Sequence, residues 1–314
     1  MPNLEQYVNF NPEKEIPELD GKVIFITGGT SGLGRASVIA LAKHNPAHIY
    51  FTGRNNKAAQ ELIDEVQTGK PSVKLTFVKM DMTSLVSVKE ACKEFVHDRL
   101  DVLMCNAGVM FIPAGVSKDG FELHFAINHL AHAMIIQELM PVLKNTASQP
   151  NSDVRVLCLT STAWKGHSSD GITFSTIRTP QKGFMGSSFR YAQSKLANIM
   201  YAAELARQYP NTNIKFISVH PGAVNTHLTT SIPWHLRLIT SIVLLFMGVT
   251  FIEEDQGRLS QLWAAAGAKE NELVNGGFYM PVGRFCNDRL DKTANSTELS
   301  QRLWTFTADV LSKF

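Results

Sequence analysis

The strongest constraint on the fold is a regular alternation of short apolar runs with longer helical patterns. The apolar runs have the length of strands and occupy residues 22–27, 47–51, 73–78, 101–105, 153–159, 214–219 and 276–280. Helical patterns lie between them, near 33–44, 56–68, 84–97, 120–144, 189–209 and 234–267. Strands that are apolar on both faces and separated by helices are typical of a parallel sheet covered on both sides. The sequence therefore predicts a doubly wound α/β fold with a seven-stranded, mostly parallel sheet, and ligands at the carboxyl ends of its strands.

The alternation fills one continuous domain. We expect an N-terminal extension over residues 1–20, a single domain over 21–314, a lid over the substrate at about 226–255, and a C-terminal extension at about 281–314. Residues 163–188 and 281–298 have no regular place in the alternation. Long irregular insertions in a compact domain are often functional loops, and the first of these follows a strand end where a substrate would lie.

Composition excludes several classes of partner and site. Thirty basic and twenty-eight acidic residues are spread without long runs, which indicates no nucleic-acid partner. Four widely spaced cysteines indicate reduced thiols and no disulfide framework. The polar, acidic N-terminus predicts no cleaved leader, and we expect a cytoplasmic protein. The uncharged stretch at 238–252 would make a helix about 22 Å long, which is too short to span a bilayer. It predicts a helix that covers an apolar pocket, and weak association with a membrane surface is the alternative.

A glycine-rich loop follows the first apolar run. The sequence TGGTSGLG places Gly28, Gly32 and Gly34 between the first strand and the first helix. Glycines let the backbone approach a pyrophosphate closely, and the N–H groups that begin a helix favour its negative charge. The loop predicts a dinucleotide cofactor bound to a Rossmann-type fold.

The end of the second strand indicates which dinucleotide. An acidic residue there would hydrogen-bond the ribose of NAD and repel a 2′-phosphate, but this chain has Arg54. An arginine fork suits a phosphate, and Thr30 or Ser31 would add hydroxyl donors. The sequence therefore favours NADP(H) over NAD(H).

A tyrosine and a lysine share one helical face in the pattern near 189–209. Tyr191 and Lys195 are four residues apart, so their side chains are neighbours on a helix. A tyrosine hydroxyl has an ordinary pKa of about 10, and a nearby ammonium would stabilise its phenolate. The pair is a candidate proton donor and its activating cation.

With these motifs in place, the sequence resembles the short-chain dehydrogenase/reductase family over residues 21–285, and most closely its retinol-dehydrogenase-like and protochlorophyllide-reductase-like branch. The branch is typically NADP-dependent. The matching segments occur in the family's order: TGGTSGLG, DMT, CNAG, FAINHLAH, LTSTA, YAQSK and HPGAVNT. The resemblance implies a catalytic set of Asn128, Ser161, Tyr191 and Lys195. It also implies a cofactor site formed by Gly28, Thr30, Ser31, Gly32, Leu33, Gly34, Arg54, Asp81, Met82, Asn106, Ala107, Gly108, Tyr191, Lys195, Pro221, Gly222, Val224 and Thr226, with no metal.

The implied reaction moves a hydride between the nicotinamide and a substrate carbonyl carbon, with Tyr191 as proton donor or acceptor. Lys195 would lower the tyrosine pKa and hold the ribose, Ser161 would hydrogen-bond the carbonyl oxygen, and Asn128 would connect the lysine to a proton relay. The low charged fraction of 18% and the stretch at 238–252 predict a fairly large apolar ketone, aldehyde or alcohol. Retinoid-like, steroid-like, terpenoid and polyketide substrates, including those of secondary metabolism, fit this description.

Alternatives remain open at this point. A nicotinamide-dependent epimerase or dehydratase would use the same cofactor without its net oxidation. A non-catalytic NADP-binding interaction protein would bind the cofactor and catalyse no reaction. A zinc site on His124, His129 and His132, or a hydrolase built on Ser161 and His220, fits the surrounding motifs less well. Family members often pair through the helices near 120–144 and 189–209, which predicts a homodimer.

Overall fold

The fold of the chain is taken from a computed structural model, which describes residues 9–70, 72–183, 185–222, 224 and 254–314. One sheet of eight strands forms its centre, in the order β3-β2-β1-β4-β5-β6-β7-β8. The strands are β1 (Val23–Ile26), β2 (His48–Gly53), β3 (Lys74–Lys79), β4 (Val102–Cys105), β5 (Val154–Leu159), β6 (Ile214–Val219), β7 (Phe278–Met280) and β8 (Arg284–Phe285). Strand order reverses at β1, which lies between β2 and β4, and this is the point where doubly wound folds bind ligands.

The seven expected strands are all present and parallel to their neighbours. The expected count of seven is nevertheless wrong, because β8 adds an eighth strand antiparallel to β7, pairing Tyr279 with Phe285. A two-residue strand carries no periodic signal, so nothing in the apolar pattern could have predicted it.

Helices cover both faces of the sheet. The described α-helices are α1 (Pro12–Glu15), α2 (Gly32–Ala42), α3 (Asn56–Gly69), α4 (Leu85–Cys92), α5 (Leu123–Phe125), α6 (Ala131–Ala147), α7 (Gly186–Gln208), α8 (Glu254–Leu262) and α9 (Thr297–Leu311). Several begin at side chains that accept hydrogen bonds from the first free N–H groups: Asn55 before α3, Ser84 before α4 and Ser296 before α9.

The central strand illustrates why both faces must be covered. Val23 and Phe25 pack into one apolar cluster, and Ile24 and Ile26 into another on the opposite side of the sheet. Because successive side chains of a strand point to opposite faces, an all-apolar strand is stable only when both sides are buried. The doubly wound architecture is confirmed.

Two helical expectations need revision. The helix expected near 84–97 ends at Cys92, and Phe95 beyond it packs its ring on Tyr50. The helix expected near 120–144 starts only at Leu123, after Glu122 has capped it, and a π-helical turn at Ala126–Leu130 joins α5 to α6. Of the pattern expected near 234–267, only the part from 254 onwards lies within the described residues, and the stretch at 238–252 lies outside them.

The C-terminal extension is an integral part of the fold. Helix α9 packs against α7, where Trp304 stacks on Tyr201, and His129 of the π-helical turn hydrogen-bonds Thr307 at 3.0 Å. The loop after β5, at 162–183, contains two 3₁₀ turns, Thr162–Gly166 and Phe174–Thr176, and Phe174 packs on Phe306 of α9. The extension therefore supports both the irregular loop and the turn that carries Asn128.

In the structure the four cysteines, Cys92, Cys105, Cys158 and Cys286, are buried and free of disulfide bonds. Among the described residues, no helix has both the length and the apolar character needed to cross a membrane.

Candidate active site

The candidate active site lies where the strands end at the switch point. Thr27 follows β1, Arg54 follows β2, Asn106 follows β4, and Ser161 lies just beyond β5. The parallel arrangement brings these carboxyl ends to one edge of the sheet, so residues far apart in sequence become neighbours.

The glycine loop is packed too closely for side chains. Gly28 has a φ of 68°, and a Cβ on it would lie 3.0 Å from the Cα of Ala107. A Cβ on Gly34 would lie 2.6 Å from Nδ2 of Asn106. Only glycine fits these positions, and the loop thereby brings its backbone against the segment after β4.

The start of α2 supplies donors for an anion. Ser31 is the N-cap residue of this 11-residue helix, but its side chain makes no capping hydrogen bond. The first N–H groups of the helix, which a cap would otherwise engage, can therefore donate hydrogen bonds to a pyrophosphate oxygen. The glycine cradle and these donors fit a dinucleotide cofactor.

Thr30 and Arg54 lie at one corner of the site. A Cβ on Gly53 would come within 2.6 Å of Oγ1 of Thr30, so the threonine side chain packs directly against the residue preceding Arg54. The Arg54 side chain is exposed. A threonine hydroxyl and an arginine at this corner are suited to a phosphate on the ribose.

Asp81 has a partner that the sequence did not reveal. Its Oδ2 accepts a hydrogen bond from Nζ of Lys118 at 2.8 Å, and its Oδ1 accepts from both the backbone and the hydroxyl of Thr83. Burial acts to raise the pKa of Asp81, but these hydrogen bonds outweigh it and lower the pKa to about 2. The carboxylate is thus charged at neutral pH, and the neighbouring Met82 is half-buried.

The segment Asn106–Gly108 is tied to the end of β1. The hydroxyl of Thr27 accepts hydrogen bonds from the backbone N–H of Asn106 and of Ala107, both at 2.9 Å. Nδ2 of Asn106 donates to the carbonyl of Thr27 at 2.8 Å. We call Asn106–Gly108 the cofactor floor, because it lies beside the glycine loop and would underlie a bound dinucleotide.

Tyr191 and Lys195 share one face of α7, as expected. The Lys195 Nζ lies 5.6 Å from the centre of the Tyr191 ring and donates to the carbonyl of Leu159 at 3.1 Å. Burial raises the pKa of Tyr191 to about 12, although a hydrogen bond with the Ser161 side chain acts in the opposite direction. Burial lowers the pKa of Lys195 to about 8. We expected Lys195 to lower the pKa of Tyr191. The structure shows the opposite shift, because burial of the hydroxyl has the largest effect on this pKa.

Ser161 lies between β5 and the irregular loop. Its side chain caps a 3₁₀ turn by accepting from the backbone N–H of Ala163 at 3.2 Å, and it lies close enough to Tyr191 to act on the pKa of that hydroxyl. The residue is half-buried. In the adjoining turn, Trp164 is buried and stacks on His167.

Asn128 lies in the π-helical turn and is fully buried. Its Oδ1 accepts from the backbone N–H of Val109 at 2.8 Å, and its Nδ2 donates to the Val109 carbonyl and to Oγ of Ser194. A Cβ on Gly108 would lie 3.2 Å from Oδ1 of Asn128 and 3.5 Å from Nζ of Lys195. Asn128 thus holds Val109, the residue after the cofactor floor, and the end of the floor at Gly108 lies beside Lys195.

The segment after β6 closes the site. Pro221 and Gly222 are half-buried, and Gly222 has a φ of 104°. Val224 is buried against α8, because a Cβ on Gly257 would meet both its side chain and that of Leu33. Thr226, expected to border the nicotinamide, lies outside the described residues.

The three histidines near Asn128 do not converge on one point. His124 pairs with Glu122, His129 with Thr307, and His132 with Asn128 and Thr27. Within the part of the chain that the structure describes, no group of three or more metal-binding side chains is found.

A buried ion pair next to Tyr191 escaped the sequence analysis. Nε of Arg190 lies 3.1 Å from Oε1 of Glu122, and the same guanidinium donates to the carbonyls of Ile112 and Gln181. Arg190 is 4% exposed and Glu122 is 0% exposed, so the pair lies in the interior. It ties the start of α5 and two surrounding loops to the helix that carries Tyr191. Arg190 and Glu122 are 68 residues apart in the sequence, so no local pattern could indicate that they form a pair.

Comparison with known proteins agrees with this fold. The short chain dehydrogenase family model matches residues 22–235. The chain is 32% identical over 296 residues to a short-chain dehydrogenase/reductase of Armillaria gallica, covering 92% of this chain and 90% of the relative. It is 30% identical over 302 residues to human retinol dehydrogenase 14, and the match covers 91% of this chain and 85% of that relative.

A solved structure of a putative uncharacterized protein from Mycobacterium paratuberculosis has the same fold, with a TM-score of 0.72, 22% identity, and coverage of 96% of this chain and 97% of that one. The chain belongs to the short-chain dehydrogenase/reductase family. It is thus an oxidoreductase of the class that acts on alcohol and carbonyl groups with a nicotinamide cofactor, and its retinol-dehydrogenase-like relatives confirm the branch expected from the sequence.

Proposed function

We propose that this chain is an NADP(H)-dependent oxidoreductase that reduces a ketone or aldehyde of a fairly large apolar molecule, or oxidises the corresponding alcohol. The observation that carries the proposal is the position of Tyr191, which is near enough to Ser161 for the serine side chain to lower its pKa and lies one helical turn from Lys195. These are the groups that a reaction needs at the oxygen of a carbonyl: a proton donor, a hydrogen-bond donor and a cation.

The chain's own residues handle the proton and the developing charge. When bound, the nicotinamide supplies or accepts the hydride at the substrate carbon. In reduction, the Tyr191 hydroxyl gives its proton to the carbonyl oxygen as the C=O bond becomes a C–O bond, while Ser161 donates a hydrogen bond to the same oxygen. The ammonium of Lys195 then stabilises the phenolate that remains on Tyr191, and oxidation reverses each step.

NADP(H) is proposed over NAD(H) because of the corner formed by Thr30 and Arg54. An exposed arginine beside a threonine hydroxyl gives a 2′-phosphate both a charged fork and a neutral donor. An adenine would contact Asp81 and Met82, with Lys118 holding the carboxylate in place.

An apolar substrate is proposed from three observations. The ring of Phe111 lies 6.3 Å from that of Tyr191, the uncharged sequence at 238–252 falls in the expected lid, and one relative is a retinol dehydrogenase. A panel of ketones and aldehydes of increasing size and apolarity, with NADPH oxidation as the readout, tests the proposal. Turnover should rise with apolar size, and a preference for small polar carbonyls would contradict it.

The same panel separates the alternatives. An epimerase or dehydratase would convert substrate with no net loss of NADPH, and a non-catalytic binding protein would bind NADPH with no turnover. The chain has all four residues expected for catalysis, Asn128, Ser161, Tyr191 and Lys195, which supports the oxidoreductase. Association with a membrane surface through 238–252 and a cytoplasmic location are further parts of the proposal, and vesicle sedimentation of the intact protein tests the first.

The proposed oligomeric state departs from the homodimer that the sequence analysis expected. Such a dimer would pair two copies through α6 and α7, but residues 190–202 of α7 are buried on every side within one chain. Helix α9 contributes to this burial through Trp304, which stacks on Tyr201. We infer that the chain does not pair through α7 and is a monomer. Light scattering should give a mass near 34.8 kDa, and a dimer that persists at nanomolar concentration would contradict the inference.

A further inference from the structure

The His132 side chain connects two parts of the site that the proposed mechanism leaves separate. The residue lies on α6, one turn after Asn128, and is buried. Its Nδ1 lies 2.9 Å from the carbonyl oxygen of Asn128, and its Nε2 lies 2.9 Å from Oγ1 of Thr27. One imidazole thus bridges the π-helical turn and the end of β1.

The chemistry of the partners fixes the protonation of the ring. A carbonyl oxygen only accepts hydrogen bonds, so Nδ1 must carry the hydrogen. Burial lowers the pKa of His132 to about 4, so the ring is neutral at pH 7 and Nε2 carries none. Nε2 is therefore an acceptor, and the Thr27 hydroxyl donates to it.

This bond sets the direction of the Thr27 hydroxyl. With its hydrogen pointing to His132, the oxygen has its lone pairs available for the N–H groups of Asn106 and Ala107, both at 2.9 Å. A threonine without this acceptor would have only the Met104 carbonyl at 3.4 Å, a longer and weaker bond. The imidazole therefore stabilises the cofactor floor from beneath.

The other nitrogen acts on the catalytic helix. The carbonyl held by Nδ1 belongs to Asn128, whose Nδ2 donates to Oγ of Ser194 at 2.9 Å. Oγ of Ser194 in turn donates to the carbonyl of Tyr191 at 2.7 Å. A continuous series of hydrogen bonds thus runs from the cofactor floor through His132 and Asn128 to the main chain of the proton donor.

We propose that His132 is a positioning residue that aligns the cofactor floor with Tyr191, with its two nitrogens serving separate roles. The Nε2 bond to Thr27 supports cofactor affinity, and the Nδ1 bond to Asn128 supports turnover. The proposal rests on the proposed function for its turnover role only, since the cofactor role is measured by binding.

Two conservative substitutions separate the roles. In His132→Gln, the amide can reach the position of Nε2 and accept from Thr27, but the bond to Asn128 is lost. In His132→Asn, the shorter amide can donate to Asn128, but the bond to Thr27 is lost. Loss of one buried hydrogen bond that leaves its partner unsatisfied corresponds to an effect of about tenfold or more. We expect His132→Gln to lower kcat about tenfold with the NADPH Kd nearly unchanged, and His132→Asn to raise the NADPH Kd about tenfold with kcat nearly unchanged.

His129 provides a matched control. It lies on the same segment and is equally buried, but its Nε2 hydrogen-bonds Thr307 of α9. His129→Leu and His132→Leu should lower the melting temperature by similar amounts, while only His132→Leu weakens NADPH binding. Equal changes in kcat and Kd for the Gln and Asn variants, or the same loss of NADPH binding in both Leu variants, would overturn the proposal.

The ring itself can be observed in the native chain, which needs no variant to fold and no substrate. Nitrogen NMR of ¹⁵N-histidine-labelled protein at pH 7, with the His132→Gln spectrum used for assignment, should show a neutral ring protonated at Nδ1. A ring protonated at Nε2, or at both nitrogens, would overturn the proposal. Failure of the proposed reaction would leave this result and the NADPH Kd unaffected, so the two outcomes are distinguishable.

Discussion

The Lys195 ammonium nitrogen lies 5.6 Å from the centre of the Tyr191 ring, and its hydrogen bond goes to the carbonyl of Leu159. The lysine therefore acts on the tyrosine through space and is held in place by the end of β5. Because burial lowers the pKa of Lys195 to about 8 while that of Tyr191 rises to about 12, the lysine is the group that titrates near neutral pH.

This relationship predicts a pH dependence. Below pH 8 Lys195 is cationic, and as the pH rises through 8 it loses the charge that stabilises the phenolate and binds cofactor, whereas Tyr191 stays protonated. The kcat/KM for NADPH, which reports the free enzyme, should fall above a pKa of about 8. Initial rates from pH 6 to 10 at constant ionic strength measure it. A profile that stays level to pH 10 would show that the charge of Lys195 is not needed.

Charge reversal at Arg54 should change cofactor preference. Arg54→Asp places a carboxylate where a 2′-phosphate would bind, so the ratio of kcat/KM for NADPH to that for NADH should fall at least about tenfold. Lys57→Asp, which changes an exposed basic residue on the adjacent helix by the same charge, is the control. If both variants reduce the ratio equally, Arg54 makes no specific contact and only the general field matters.

The buried pair of Arg190 and Glu122 should be important for stability. Arg190→Met leaves the Glu122 carboxylate without its cation in an interior where both side chains are almost fully buried, which typically costs about 3 kcal/mol or more. Urea unfolding measures the change. Arg178→Met removes an exposed guanidinium that lies 4.0 Å from the Phe121 ring centre, and should cost less than about 1 kcal/mol. Equal losses in the two variants would mean that the interior pair adds no more than a surface contact.

Much of the fold could be predicted because its signal is local. Each of the seven parallel strands is a short apolar run, and the glycine loop between β1 and α2 is read from adjacent residues. β8 and the π-helical turn could not be predicted, since the first is too short for periodicity and the second begins within an ordinary helical pattern. The packing of α9 on the π-helical turn joins His129 to Thr307 across 178 residues, which one sequence does not reveal.

The candidate site, like the fold, could be predicted only where its signal is local in the sequence. Residues within motifs could be predicted as site residues: Tyr191 and Lys195 from their spacing, and Ser161 from the family resemblance. Their partners were not, because Lys118 beside Asp81, Arg190 with Glu122, and His132 with Thr27 are contacts made only when the chain folds. The sign of the Tyr191 shift was also mistaken, since burial depends on the whole fold and outweighs the hydrogen bond from Ser161.

The most direct test of the central claim is a comparison of the wild-type chain with Tyr191→Phe, measuring NADPH oxidation with the best carbonyl of the panel and NADPH binding in parallel. Phenylalanine keeps the ring in its buried position and removes only the hydroxyl. The account predicts a loss of turnover of about a thousandfold or more, of the size expected for a positioned proton donor, with the NADPH Kd changed less than about threefold. Turnover close to that of the wild type would contradict it.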